Sequence, residues 1–171
     1  MPTPLARYKK DLQRDDFSYD ATQEMAVQHL QRLFDELVES ENAPRHGGFL
    51  RIRTRFKIGK PKQVEPVKGL YFWGGVGRGK TYLMDTFYDT LPFERKMRTH
   101  FHRFMQRVHK ELKELDGTKN PLKTIADKYA AETRIICFDE FFVSDITDAM
   151  ILGSLLQELF ARGVSLVATS N

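Results

Sequence analysis

No stretch limits what this chain can fold into as strongly as residues 69–81, GLYFWGGVGRGKT. An apolar run, Leu70, Tyr71, Phe72 and Trp73, leads into Gly74, Gly75, Val76, Gly77, Arg78, Gly79, Lys80 and Thr81. The second part fits G-x-x-x-x-G-K-[ST], the phosphate-binding P-loop. Its glycines let successive backbone N–H groups turn inward as a nest for phosphate oxygens. The helix that follows points its positive end at the same anion. Lys80 is expected to reach the β- and γ-phosphates and the Thr81 hydroxyl to ligate Mg²⁺, within a nucleotide-contacting run from Gly74 to Tyr82. Such a loop needs a strand before it and a helix after it. The apolar run supplies the first, and Leu83, Met84 and Phe87 at helical spacing supply the second. The bland alternative is a glycine-rich turn between a strand and a helix, and the fit of motif and context together argues against it.

Composition narrows the class further. With 41% hydrophobic and 29% charged residues over 171 positions, the chain can bury one good core as a soluble domain. No apolar run approaches a membrane span, and the N-terminus lacks the apolar core of a signal peptide. Lys9, Lys10 and Arg14 are interleaved with Asp11, Asp15, Asp16 and Asp20, unlike an acid-poor transit peptide. The single cysteine, Cys137, excludes an internal disulfide, fits a reducing compartment and reads as a buried structural thiol within an apolar strand. A net charge of +4 gives modest attraction to polyanions and does not establish nucleic-acid binding.

Residues 1–17 show no clear period and read as a loosely packed arm. From Asp20 to Ser40, Ala26, Leu30, Leu33, Phe34, Leu37 and Val38 line one face of a helix, with Ser18, Asp20 and Thr22 as candidate caps. Residues 41–68 are broken by Asn42, Pro44, Gly47, Gly48, Gly59, Pro61 and Pro66 and are strongly basic, with Arg45, Arg51, Arg53, Arg55, Lys57, Lys60, Lys62 and Lys68. Leu50 and Ile52 alternate with arginines, as in a short edge strand or hairpin. This stretch reads equally as a surface for an acidic partner or nucleic acid and as a solvated linker. Met97–His102 reads as a strand, which would project His100 and His102 to one side, and Phe104–Leu115 as a helix. Two histidines make no metal site without further ligands, so satisfied or solvent-facing rings are the preferred reading. Pro121 opens a helix running to about Ala131.

RIICF, residues 134–138, is a continuous apolar strand of the kind buried on both faces of a parallel sheet, and it ends in Asp139 and Glu140. Downstream of a P-loop this is a Walker B pattern, in which Asp139 holds Mg²⁺, mostly through water, and Glu140 polarises the attacking water. Asp145 then caps a helix to Arg162 with Ile146, Met150, Ile151, Leu155, Leu156 and Leu159 expected inward. Gly163 terminates it, and Val164–Thr169 forms another buried strand followed by Ser170 and Asn171. The order of elements predicts an α/β fold of parallel sheet flanked by helices.

The succession of P-loop, Asp-Glu strand and a strand ending in Ser-Asn looks like the AAA+ type of P-loop NTPase, in which Asn171 matches the polar sensor of the γ-phosphate or attacking water. GLYFWGGVGRGKTYLMD, HFHRFMQRVHKEL, CFDEFFVSDITDAMIL and FARGVSLVATSN together resemble the ZapE family, bacterial relatives of a mitochondrial AAA+ ATPase. The resemblance implies a cytoplasmic ATPase at the division site that uses ATP and Mg²⁺ and reduces the stability of polymers of the tubulin-like protein FtsZ. It implies catalytic roles for Glu140, Lys80 and Asn171, with Thr81 and Asp139 on the metal. It also implies a homo-oligomer when full length, with an arginine finger from a neighbouring subunit. Family members continue with another core strand and a helical lid, so the chain is expected to be truncated before both. Residues 1–66 are then an N-terminal helix and basic linker, and 67–171 an incomplete P-loop core. The competing readings are an ATP-gated nucleic-acid-binding module using residues 45–68 and a GTPase switch. The second lacks an N/T-K-x-D element, since Pro121 follows Thr118-Lys119-Asn120 where aspartate would stand.

Overall fold

A computed structural model of the chain describes residues 2–42, 70–72 and 78–170. The basic stretch 45–68, residues Gly74, Gly75, Val76 and Gly77 of the P-loop, and Asn171 lie outside the described residues.

Alternation along one strand sets the layering. Strand β3 (Ile135–Asp139) sends Ile135 and Cys137 to one face and Ile136 and Phe138 to the other, all four buried. It lies within a parallel sheet with β1 (Leu70–Phe72), β2 (Lys96–His100) and β4 (Ser165–Thr169), ordered β1–β4–β3–β2. β4 thus runs between the strand that feeds the P-loop and the strand that ends in Asp139. One face carries α1 (Pro4–Asp11), α2 (Ala21–Asn42) and α3 (Arg78–Thr90); the other carries α4 (Phe101–Glu114), α5 (Pro121–Glu132) and α6 (Ile146–Ala161). Continuous apolar strands require cover on both faces, and the two sets of helices supply it.

The P-loop helix α3 buries Leu83, Met84 and Phe87 as its spacing predicts. On α2 the buried stripe is Val27, Leu30, Leu33, Phe34 and Leu37. Asp145 caps α6 by accepting from the Thr147 N–H at 2.7 Å. Gly163 follows at φ 82°, the left-handed turn that ends the helix and starts β4.

Three expectations are corrected. The N-terminal arm is not loose: α1, capped by Thr3 with Pro4 at its first turn, packs on α2 and α3 and buries Tyr8 at 1% exposure. A helix of two turns offers too few apolar repeats to declare a period, so its order comes from the surface it docks on. The strand at 97–102 ends at His100, because the chain turns helical at Phe101. Phe101, Phe104, Met105 and Val108 then form an i, i+3, i+4, i+7 stripe against the sheet, which places His102 on a helix and His100 at its cap. Finally, Ile146 and Met150 on α6 are exposed at 80% and 71%, while Leu152, Leu155 and Leu159 are buried. That helix is apolar over much of its circumference, so hydrophobicity alone does not reveal which stripe meets the core.

The first turns of α3 are held from outside by the N-terminal segment. The Tyr82 hydroxyl donates to Asp11 at 2.6 Å, and its ring packs 5.0 Å from that of Phe17. Burial first, and the Asp11 carboxylate next, push the phenol up to about 12. A folded-state value raised above the usual 10 means this contribution is intact below pH 10 and is lost as pH climbs through 12. Tyr82→Phe is expected to lower stability by about 1 kcal/mol at neutral pH, the net worth of one hydrogen bond, with a smaller loss between pH 10 and 12 than wild type. Urea unfolding at both pH values checks it.

Candidate active site

Because every strand runs the same way, their carboxyl ends share one edge of the sheet, where open α/β folds bind ligands. β1 leads there toward the P-loop, β2 brings His100, β3 brings Asp139 and Glu140, and β4 brings Thr169 and Ser170.

Lys80 lies in the first turn of α3, and its Nζ donates to the carbonyl oxygen of Ser170, just past β4. The ammonium therefore spans from the P-loop helix to the neighbouring strand end. Thr81 is exposed beside it. Gly79 backs onto α2: a Cβ there would stand 3.5 Å from Gln23 Nε2, so the second helix forms a wall at the start of the P-loop helix. The Tyr82 side chain is engaged by Asp11 and Phe17.

Asp139 accepts both prongs of the Arg98 guanidinium, from Nε to Oδ2 at 2.8 Å and from Nη2 to Oδ1 at 3.2 Å. Arg98 Nη1 donates in turn to Asp85 on α3. Burial opposes the guanidinium charge, but hydrogen bonds to Asp139 and Asp85 more than offset it, and its pKa is raised. Glu140 adopts φ 52°, a left-handed conformation uncommon outside glycine. The next residue is tied to the neighbouring strand, the Phe141 N–H donating to Thr169 O at the end of β4 at 2.8 Å. The Glu140 side chain is 75% exposed, with Oε2 3.6 Å from His100 Nδ1. Cys137 is fully buried, and burial pushes its thiol up to about 12, an inert structural cysteine as its strand position implies.

Lys80, Asp139 and Glu140, named from sequence, thus converge on one sheet edge. The sequence reading missed Arg98 and Asp85. A signal for Asp85 exists, since it follows Thr81 by four residues and shares its side of the helix. For Arg98 there is none without the strand register. The oxygen donors Thr81 and Asp139 suit a hard divalent cation. Among the described residues no group of three or more His, Cys, Asp or Glu could hold a metal alone, so phosphate oxygens and water would complete its shell.

A parallel sheet with this strand order, a P-loop sequence entering α3 and an Asp-Glu pair closing β3 define a P-loop NTPase of the AAA+ type. Among solved structures, AMPPCP-bound DnaA from Aquifex aeolicus matches with a TM-score of 0.55 at 14% identity, over 92% of this chain and 41% of that one. DnaI matches with a TM-score of 0.51 at 16% identity, over 95% and 75%. At such identities these likenesses concern the fold alone. The AFG1-like ATPase family model matches residues 2–171, and the chain belongs to that family. It is 55% identical to the cell division protein ZapE of Escherichia coli strain K12 over 172 residues, 99% of this chain and 46% of the relative. It is 45% identical to lactation elevated protein 1 homolog B of Danio rerio over 117 residues, 62% of this chain and 23% of the relative. The chain spans about half the length of the curated ZapE relatives it matches. Among the described residues, no helix is long and apolar enough to cross a membrane.

Proposed function

We propose that this chain carries the ATP-binding and hydrolysing site of an AAA+ type ATPase acting in cell division, where it reduces the stability of FtsZ polymers in the presence of ATP. The observation that carries the ATPase reading is the meeting of Lys80 with the end of β4, beside the strand that delivers Asp139 and Glu140. Cell division as the process comes from the likeness to ZapE, and FtsZ as the partner from the family that the sequence motifs resemble.

The chemistry asked of these residues is positioning and charge stabilisation. The P-loop amides, from Gly74 through Tyr82, and Lys80 hold the phosphates. Thr81 and Asp139 would hold Mg²⁺, which when bound neutralises charge developing on the transferred phosphoryl group. Glu140 accepts the proton of the attacking water, and Asn171, following the Ser170 carbonyl that Lys80 meets, orients that water. The arginine finger comes from a neighbouring subunit of a cytoplasmic homo-oligomer at the division site. The alternative of an ATP-gated nucleic-acid-binding module rests on residues 45–68 alone.

Co-sedimentation of the full-length protein with FtsZ polymers tests the proposal. Less polymer should pellet when Mg-ATP is present, and ADP should have no effect. An unchanged pellet in ATP removes FtsZ as the partner, and salt-sensitive retention on DNA would then favour the module.

A further inference from the structure

The carboxylate that closes β3 is already engaged by a cation. Arg98 pairs with Cys137 in the strand register, so its side chain leans two residues forward along the ladder to fork onto Asp139. Its third nitrogen reaches back across the sheet face to Asp85 on α3. One guanidinium therefore stands between two carboxylates, one from the P-loop helix and one from the Asp-Glu strand. The side chains of Arg98 and Asp139 are 22% and 18% exposed, which weakens solvent screening, whereas Asp85 at 44% is more open.

Remove that guanidinium and two neighbouring carboxylates remain. They repel one another, and their unbalanced negative charge attracts a divalent ion. With Arg98 in place, a hydrated cation must compete against a bidentate, charge-assisted pair. A carboxylate offers about four lone-pair sites, and the fork uses one on each oxygen, so Asp139 keeps capacity for metal-bound water. A metal delivered with a nucleotide is also held by the phosphates, and so depends less on Asp139.

We propose that Arg98 is the resident counter-ion of Asp139, a positioning residue that keeps free divalent cations off this carboxylate so that metal enters with the nucleotide. Asp85 is the second anchor, keeping the guanidinium paired while Asp139 turns to metal-bound water. The inference rests on the reading of Asp139 as the metal-side carboxylate.

Mn²⁺ binding to the full-length protein, read from the free-ion electron paramagnetic resonance signal, tests it without reference to turnover. In the absence of nucleotide, Arg98→Gln should bind one Mn²⁺ per chain roughly tenfold or more tighter than wild type, as expected for two carboxylates released from a shared cation. Arg98→Lys, which keeps the charge, should stay near wild type, and Arg98→Gln with Asp85→Asn should lose the gain. Equal Mn²⁺ binding by wild type and Arg98→Gln overturns the proposal. Should Arg98→Gln fail to fold, the Nε–H resonance of Arg98 in the wild-type protein decides: it should move with Mg-ATP and hold still with Mg²⁺ alone, and a shift with Mg²⁺ alone overturns the proposal. A separate arm with Mn-ATP tests the nucleotide reading. Wild type that takes up no Mn²⁺ with ATP contradicts that reading, whereas the nucleotide-free comparison bears on Arg98.

Discussion

Replacing Lys80 by alanine is expected to weaken ATP binding by about a hundredfold, which corresponds to about 2.7 kcal/mol and lies within the range for hydrogen bonds to charged groups. The ammonium already donates to the Ser170 carbonyl, a neutral acceptor at the end of β4. Phosphate oxygens would offer it charged acceptors instead, and charge-assisted hydrogen bonds are about twice as strong as neutral ones. The loss should be specific to binding, because α3 is held by Leu83, Met84 and Phe87 in the core and by Tyr82 on Asp11. Thermal unfolding of Lys80→Ala should therefore stay close to wild type while titration with a fluorescent ATP analogue shows the loss. Lys80→Arg should recover part of the affinity, since it keeps the charge but presents a planar fork rather than a compact ammonium. Equal affinity of wild type and Lys80→Ala would remove the site assignment.

How far the site is legible in the sequence follows from the range of the signal each residue depends on. The buried strand ending in Asp139 is visible because full burial on two faces demands an unbroken apolar run. The α6 cap at Asp145 and the turn at Gly163 are visible because their chemistry is local. Lys80 and Thr81 announce themselves through spacing. By contrast, Arg98 reads as one charged residue in a mixed strand. Its partners lie 13 and 41 residues away, and pairing with them depends on a strand register that no local pattern encodes. The helix beginning at Phe101 is hidden for a related reason: HFH suits a strand by alternation, while Phe101, Phe104, Met105 and Val108 declare a helix only once their common face is known. Ile146 and Met150 mislead because an apolar residue signals burial in general, not burial against a given surface. The small helix α1 shows the limit in the other direction, where docking imposes order that a short segment cannot hold alone.

Exchange of Glu140 for glutamine should leave ATP binding near wild type and lower the hydrolysis rate of the full-length protein by about 10²–10⁴-fold, the usual contribution of a positioned base. The side chain is well placed for that division of roles. It is largely exposed at the sheet edge and lies near His100, and the residue after it is tied independently to β4 by the Phe141 N–H on Thr169. Glutamine keeps the size and the polar tip but cannot take a proton from water. The backbone supplies a control. At φ 52° Glu140 occupies a region that glycine enters without steric cost, so Glu140→Gly should fold with stability within about 1 kcal/mol of wild type while losing turnover just as fully. Single-turnover hydrolysis combined with nucleotide titration separates the outcomes. Slow hydrolysis with intact binding in both variants assigns the proton transfer to the Glu140 carboxylate. Wild-type turnover in Glu140→Gln would take that role from Glu140, leaving the left-handed turn as a structural feature of the strand end.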